Sequence, residues 1–314
     1  MYDTGDERSK LIEETLPDLA NSELVEETLP DQENSELVEE TLPDQATLSN
    51  QADEEKRDLD TTQEMQRFYI LAKRQAWKVE QLSWGQIPPV PEGKGSGEKR
   101  ARRLAIWRSV VSQQLQADTL ASLLSSQLLA AAPDLPGRLY YTTMVQDEGR
   151  HAEAWLRLTG EVGGASEPDP YLRRLGELTL NADTLEEKVW MFQVVFEGLV
   201  IDRFRQIAAG APGTILAELC NRLTVDDGIH HGAGVIYEQR LLERTSSRTK
   251  RAIWRMSQET WPLFVEHLLW RPHERSWASN ALRARDLEMV KSYMAQEQKL
   301  AIKVGLEIDT LPGF

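Results

Sequence analysis

Beyond residue 61 the apolar positions recur every three to four residues. Phe68, Leu71, Ala72, Ala76 and Val79 mark a helix over 63–82, ended by a Pro- and Gly-rich stretch over 84–97. The same period predicts long helices over 98–132 and 137–158. Pro133 and Pro136 stop the first, and the second ends before Gly160 and the Gly163-Gly164 loop. A short helix over 171–180 follows, then a long one capped by Asn181 or Asp183 and running to 209. The turn from Gly210 to Gly213 leads into another long helix ending near 243, with two more over 248–270 and 276–299. Alternating β-branched runs are absent, so the fold class is all-α, with two long antiparallel hairpins at its centre.

The first 60 residues follow another rule. LIEETLPDLANSE from Leu11, LVEETLPDQENSE from Leu24 and LVEETLPDQATLS from Leu37 repeat a 13-residue unit, each with one Leu-Pro-Asp. So few apolar residues per unit, interrupted by Pro, cannot offset the entropy of ordering the chain. We therefore expect a disordered acidic leader over 1–60 and a helical domain over 61–314. A solvating tail is the favoured reading of the leader, and an arm that recruits partners is its rival.

Charge follows the same division. The leader holds 20 of the 51 acidic and 4 of the 36 basic side chains, so the net charge of −15 belongs to it and the body is close to neutral. A near-neutral body offers no footprint for nucleic acid. The single Cys220 excludes an intramolecular disulfide framework and a Cys-rich zinc site, and suits a reducing compartment. No apolar run is long enough to span a membrane and no basic-then-apolar signal opens the chain, so the expected location is cytoplasmic.

The chemistry lies in a doubled motif. Asp147-Glu148-Gly149-Arg150-His151 and Asp226-Asp227-Gly228-Ile229-His230 both read acid, acid, Gly, x, His. Chance predicts about 0.13 His preceded by acids at both three and four positions, against two found. On a helix, positions i and i+3 share a face, so a carboxylate and an imidazole can bind one metal ion. Iron and manganese accept such a mixed oxygen and nitrogen set. The preceding acid, Asp147 or Asp226, lies about 100° round the helix. There it can accept a hydrogen bond from the metal-bound His of the other motif and fix its tautomer.

A dinuclear site needs one more carboxylate per hairpin. Glu197 interrupts an otherwise apolar stretch 30 residues before Asp227, and Asp118 stands 30 before Glu148, sharing a face with Trp107, Val111 and Leu115. In each case the turn lies near the midpoint, so both residues reach similar height in the bundle. The metal set is therefore Asp118, Glu148, His151, Glu197, Asp227 and His230, with Glu148 and Asp227 as bridges.

These six residues resemble the ferritin-like di-iron carboxylate superfamily, which includes the ribonucleotide reductase small subunit, multicomponent monooxygenase hydroxylases, acyl carrier protein desaturases and arylamine N-oxygenases. The likeness covers about 98–243 and implies a four-helix bundle with extra flanking helices. Two departures stand out: Asp227 occupies a position where Glu is usual, and Asp118 replaces the common Glu, although the reductase subunit also has Asp there. Where that subunit has its radical Tyr, four residues after the first motif His, this chain has Trp155, either a core aromatic or an electron relay. Where the N-oxygenases have an additional His, four before Asp227, it has Leu223.

Other candidates carry less. His231 points about 100° from the ligand face, and His267 and His273 lack an acid at ligand spacing and read as structural. Gln114 and Gln193 each lie one turn before a proposed carboxylate, where they would line a cavity or make ordinary buried hydrogen bonds. Ser122 and Ser125 follow Asp118 on its face and would leave room for substrate. Trp254, Trp261, Trp270 and Trp277 read as core packing.

The resemblance implies an O2-activating di-iron oxygenase or oxidase, with two Fe ions or a Mn2 or Mn/Fe pair, hydroxylating, N-oxygenating or desaturating a small organic substrate. Its electrons would come from a reductase or ferredoxin, since the chain has no GxGxxG or Cys cluster. A homodimer is the oligomeric expectation. The rivals are a peroxidase, Mn-catalase or ferroxidase-like protein, and a non-enzymatic helical interaction module.

Overall fold

The computed structural model describes residues 62–85, 96–270 and 280–308, all within the unit that spans residues 49–314. The repeats of the leader and His273 and Trp277 lie outside the described residues. Helix α1 covers 62–75, and a single 3₁₀ turn, Val79–Gln81, follows it. The predicted helix to 82 thus ends early, and the segment beyond it brings Trp77, Val79 and Leu82 into the core.

The first hairpin pairs α2, Ser96–Ala131, with α3, Leu135–Glu161. Asp134 caps α3 by accepting from the Gly137 amide, and Pro136 sits in the first turn, where a missing N–H costs nothing. Gly163 and Gly164, at φ 86° and 101°, turn the chain away after α3 in a conformation that side chains resist. Helix α4, Pro170–Leu180, is capped by Asp169, which accepts from the Tyr171 and Leu172 amides.

The second hairpin is less regular than its periodicity predicts. Helix α5, Leu185–Lys188, starts from a Thr184/Glu187 capping box and passes directly into a π-helical segment, Val189–Phe196. Helix α6, Glu197–Gly210, continues from it and pairs with α7, Ile215–Glu243, which Thr214 caps. Helix α8, Ser247–Leu269, and helix α9, Asn280–Val304, flank the bundle, with α8 packed on α4.

Three apolar clusters hold these layers together. Trp77, Trp107, Trp155, Phe204 and Leu219 fill one end of the bundle. Met65, Leu128, Tyr140, Tyr141 and Tyr237 fill another. Trp190, Trp254, Trp261 and Phe264 join the bundle to α8 and α9, so Trp254 and Trp261 are core residues as expected. Gly234 lets α7 approach the π segment closely: a Cβ there would stand 2.4 Å from the Gln193 Cβ. Among the described residues there is no strand, and no helix is long and apolar enough to cross a membrane.

Candidate metal centre

The four central helices each bring one part of an acidic and imidazole cluster into the bundle core. Asp118 comes from α2, Glu148 and His151 from α3, Glu197 from the start of α6, and Asp227 and His230 from α7; all six are at most 7% exposed. Glu148, Glu197, Asp227 and His230 each offer an atom within 4.8 Å of the others. Both imidazoles turn Nδ1 toward the carboxylates. His151 Nδ1 lies 3.5 Å from Glu148 and 3.8 Å from Asp227. His230 Nδ1 lies 3.1 Å from Glu148, 3.7 Å from Glu197 and 3.8 Å from Asp227. Glu148 and Asp227 thus serve both imidazoles, whereas Glu197 stands beside His230. Asp118 is set against His151 and its charge is felt with those of Glu148 and Glu197.

The outer face of each ring meets the acid of the opposite motif. His151 Nε2 lies 3.0 Å from Asp226 Oδ2 and His230 Nε2 lies 3.3 Å from Asp147 Oδ2. With the proton on Nε2, both Nδ1 lone pairs face inward. Arg150 joins the two outer acids, donating to Asp147 at 2.6 Å and to Asp226 at 3.0 Å. Trp77 donates its indole N–H to Asp226 at 2.8 Å and lies parallel to the His151 ring. Neither Arg150 nor Trp77 was singled out by spacing. The Arg carries a faint signal, a cation three residues after Asp147 on a face otherwise buried; Trp77 carries none, because a non-helical segment delivers it.

The cluster crowds buried acidic groups whose charges oppose one another. Burial raises Asp118 and Asp227 well above the ordinary carboxylate range, and burial with the neighbouring Glu148 lifts Glu197 to about 7. Burial acts on Glu148 too, but the two imidazoles beside it overcome the effect and hold that group near 2. His151 and His230 are pushed up by the surrounding acids despite the opposing effect of burial. His230 Nδ1 and Glu148 Oε1 face each other at 3.1 Å, yet neither makes a hydrogen bond, and Asp118 Oδ2 also lacks a partner. Orphaned buried polar atoms of this kind demand an explanation. Two divalent ions would supply it, neutralising four carboxylates and receiving both nitrogen lone pairs.

The cluster opens on a cavity of about 860 Å³, mouth included, whose wall carries Asp118, Glu148, Glu197 and Asp227 together with Leu172, Phe192, Phe264 and Met289. Gln114 lines it, with a buried amide oxygen that has no partner. Gln193 does not; it accepts from Tyr141 and donates to the His230 carbonyl, tying the π segment to α3 and α7. Ser122 and Ser125 also stay out of the cavity, because their hydroxyls return to the α2 carbonyls of Thr119 and Ala121. Ala117, Leu120, Ala121 and Leu124 form that wall instead. Trp155 is fully buried beside Phe204, with its indole turned toward Asp118. His231 meets the Gln193 carbonyl at 3.2 Å, away from the cluster. His267, which has no acid at ligand spacing, meets one from a distant part of the chain: its Nδ1 lies 2.7 Å from Asp169.

The chain is an all-α helical bundle with the ferritin-like fold of the solved structures it resembles. Among solved structures it is similar to R2-like ligand-binding oxidases. A Tyr-to-Phe variant with aerobically reconstituted Mn/Fe cofactor matches at 22% identity and TM-score 0.56, over 76% of this chain and 92% of that one. A Val-to-Leu variant with anaerobically reconstituted Mn/Fe cofactor gives 22% and 0.57 over the same shares. A Gly-to-Leu variant with aerobically reconstituted Fe/Fe cofactor gives 22% and 0.52, over 76% of this chain and 90% of that one. No protein-family model and no curated protein sequence matches the chain.

Proposed function

We propose that this protein is a dinuclear-metal oxidase or oxygenase that uses O2 to oxidise a small, largely apolar organic molecule by hydroxylation, N-oxygenation or desaturation. The observation that carries the reading is the buried set of four carboxylates and two imidazoles opening directly on a mostly apolar cavity. The likeness to oxidases holding Mn/Fe or Fe/Fe pairs supports an iron or iron–manganese centre. When bound, such a pair supplies the reduction of O2 to an oxidant strong enough for unactivated bonds.

The chain's own residues have separable tasks in this reading. Glu148 and Asp227, which serve both imidazoles, would hold both ions, Asp118 and Glu197 would each complete one half-site, and His151 and His230 would ligate through Nδ1. Asp147 and Asp226 hold the Nε2 protons, while Arg150 and Trp77 hold those acids in turn. The apolar wall would exclude water and orient the substrate beside the carboxylates. Electrons come from a separate reductase or ferredoxin in a reducing, cytoplasmic setting.

Purified protein loaded with ferrous and manganous ions should retain two ions per chain. A cavity-filling organic substrate should accelerate its O2 consumption. Stoichiometric metal with O2 consumption indifferent to every organic compound would favour a peroxidase- or ferroxidase-like role. Absence of bound metal would leave a helical interaction module.

A further inference from the structure

The cavity reaches beyond the four metal-bearing helices to α8, where its lining carries His267, a side chain that the metal centre does not use. Its Nδ1 lies 2.7 Å from Asp169 Oδ2, whose residue is fully buried. Asp169 is fixed from every side: Oδ1 accepts from the Tyr171 and Leu172 amides, Oδ2 also accepts from Gln113 Nε2 at 3.0 Å, and the Asp169 main chain exchanges two hydrogen bonds with Gln116. A carboxylate held this firmly keeps the Nδ1 proton of His267 and fixes the ring's orientation. Nε2 is left as the ring's other hydrogen-bonding atom, with no partner among the described residues. Leu172, Leu175, Phe264, Leu268 and Met289 give the lining apolar surface, and Gln114 and Arg203 are polar residues of the same lining beside His267 and the four carboxylates.

We propose that His267, positioned by Asp169, is a polar recognition residue for the substrate. In this assignment Nε2 hydrogen-bonds an oxygen-bearing group on an otherwise apolar molecule whose other part reaches the metal centre. The assignment rests on the oxidase reading only for the statement that the cavity holds substrate. An alcohol, a carbonyl or a carboxylate all satisfy it, because Nε2 accepts in the neutral ring and donates in the charged one. The pair fixes which end of an elongated substrate faces the metals, and therefore which carbon or nitrogen is oxidised.

The test uses the full-length, metal-loaded protein and three probes that share one apolar body: butylbenzene, phenylbutanol and phenylbutyrate. Calorimetry on the wild-type protein should detect all three. His267→Phe, which keeps a ring in place, should weaken the two oxygen-bearing probes about five-fold, the size of one hydrogen bond, and leave butylbenzene within about two-fold. Asp169→Asn still accepts from the α4 amides but no longer orients the imidazole, and should give a smaller loss in the same sense. Equal weakening of all three probes in both variants, unchanged affinities, or no binding of any probe to the wild-type protein would overturn the assignment. Metal content measured on the same samples separates the two readings: two ions per chain with unmoved probe selectivity removes only the role of His267, and selective binding without metal removes only the oxidase.

Discussion

Trp77 and Asp226 are 149 positions apart, and the indole N–H of one donates to the Oδ2 of the other at 2.8 Å. The same oxygen receives Arg150 and faces His151, so one buried atom gathers the Trp, the Arg and a proposed metal ligand. Asp226→Asn keeps the shape but replaces a full negative charge. Metal affinity should fall about 10- to 100-fold, the range for partners that orient ligands. Trp77→Phe removes one donor and keeps the aromatic face, so it should cost less. Titration with ferrous ion under anaerobic conditions gives both values; an unchanged Asp226→Asn would show that the outer acids do not tune the centre.

Asp118 distinguishes a ligand from a buried acid. Asp118→Asn removes the charge that a cation requires while relieving the burial that pushes the group upward. The variant should fold at least as stably as the metal-free wild type and lose part of the bound metal together with turnover. Circular dichroism and elemental analysis on one preparation check this. Retention of both ions would take Asp118 out of the ligand set.

The residue pattern revealed the two hairpins and all six clustered residues because each depends on local spacing: Glu148 to His151 is one helical turn, and Glu197 to Asp227 is a height match across a tight turn. The cross-pairing of each His with the other motif's acid was also legible, since the acid one position before the ligand must leave the ligand face. Other features depended on distant contacts. Trp77 arrives from a segment with no regular period, and Asp169 meets His267 across 98 positions. The π segment is invisible to apolar periodicity because Val189 to Phe196 is apolar on nearly every side. Ser122 and Ser125 were placed on the correct helix, but helical hydroxyls that can reach their own carbonyls do so.

Gly234 sets how closely α7 lies against the π segment. In Gly234→Ala the new methyl would meet the Cβ and backbone of Gln193, so backbone must shift rather than a flexible side-chain tip. The expected cost is about 1–3 kcal/mol of stability, typical of overpacking. Because Gln193 is four residues before Glu197, metal occupancy should fall with it. Urea unfolding and metal analysis test both; a neutral substitution would mean that the two helices separate freely.

Glu297 gives a pH dependence remote from the metals. It is buried, receives the Trp261 indole N–H at 2.5 Å, and burial lifts it to about 7 despite the lowering effect of Ser257 and Trp261. The folded state therefore keeps the proton that the unfolded chain releases near 4.5. Its contribution is fully present below about pH 4.5 and is lost as pH rises to about 7, a change of about 3 kcal/mol. Glu297→Gln should match the wild type at about pH 4.5 and be the more stable protein at about pH 8. Denaturant midpoints at both values decide it, and parallel curves would exclude Glu297 as the cause.

Each imidazole of the centre is held by an acid that belongs to the other hairpin. Neither half of the chain owns a finished binding site: a hairpin alone supplies two carboxylates and a ring free to rotate. In the proposed dinuclear reading, metal capture would therefore depend on both hairpins being docked in register. A chain whose hairpins docked out of register would present mis-aimed rings and should hold the ions weakly.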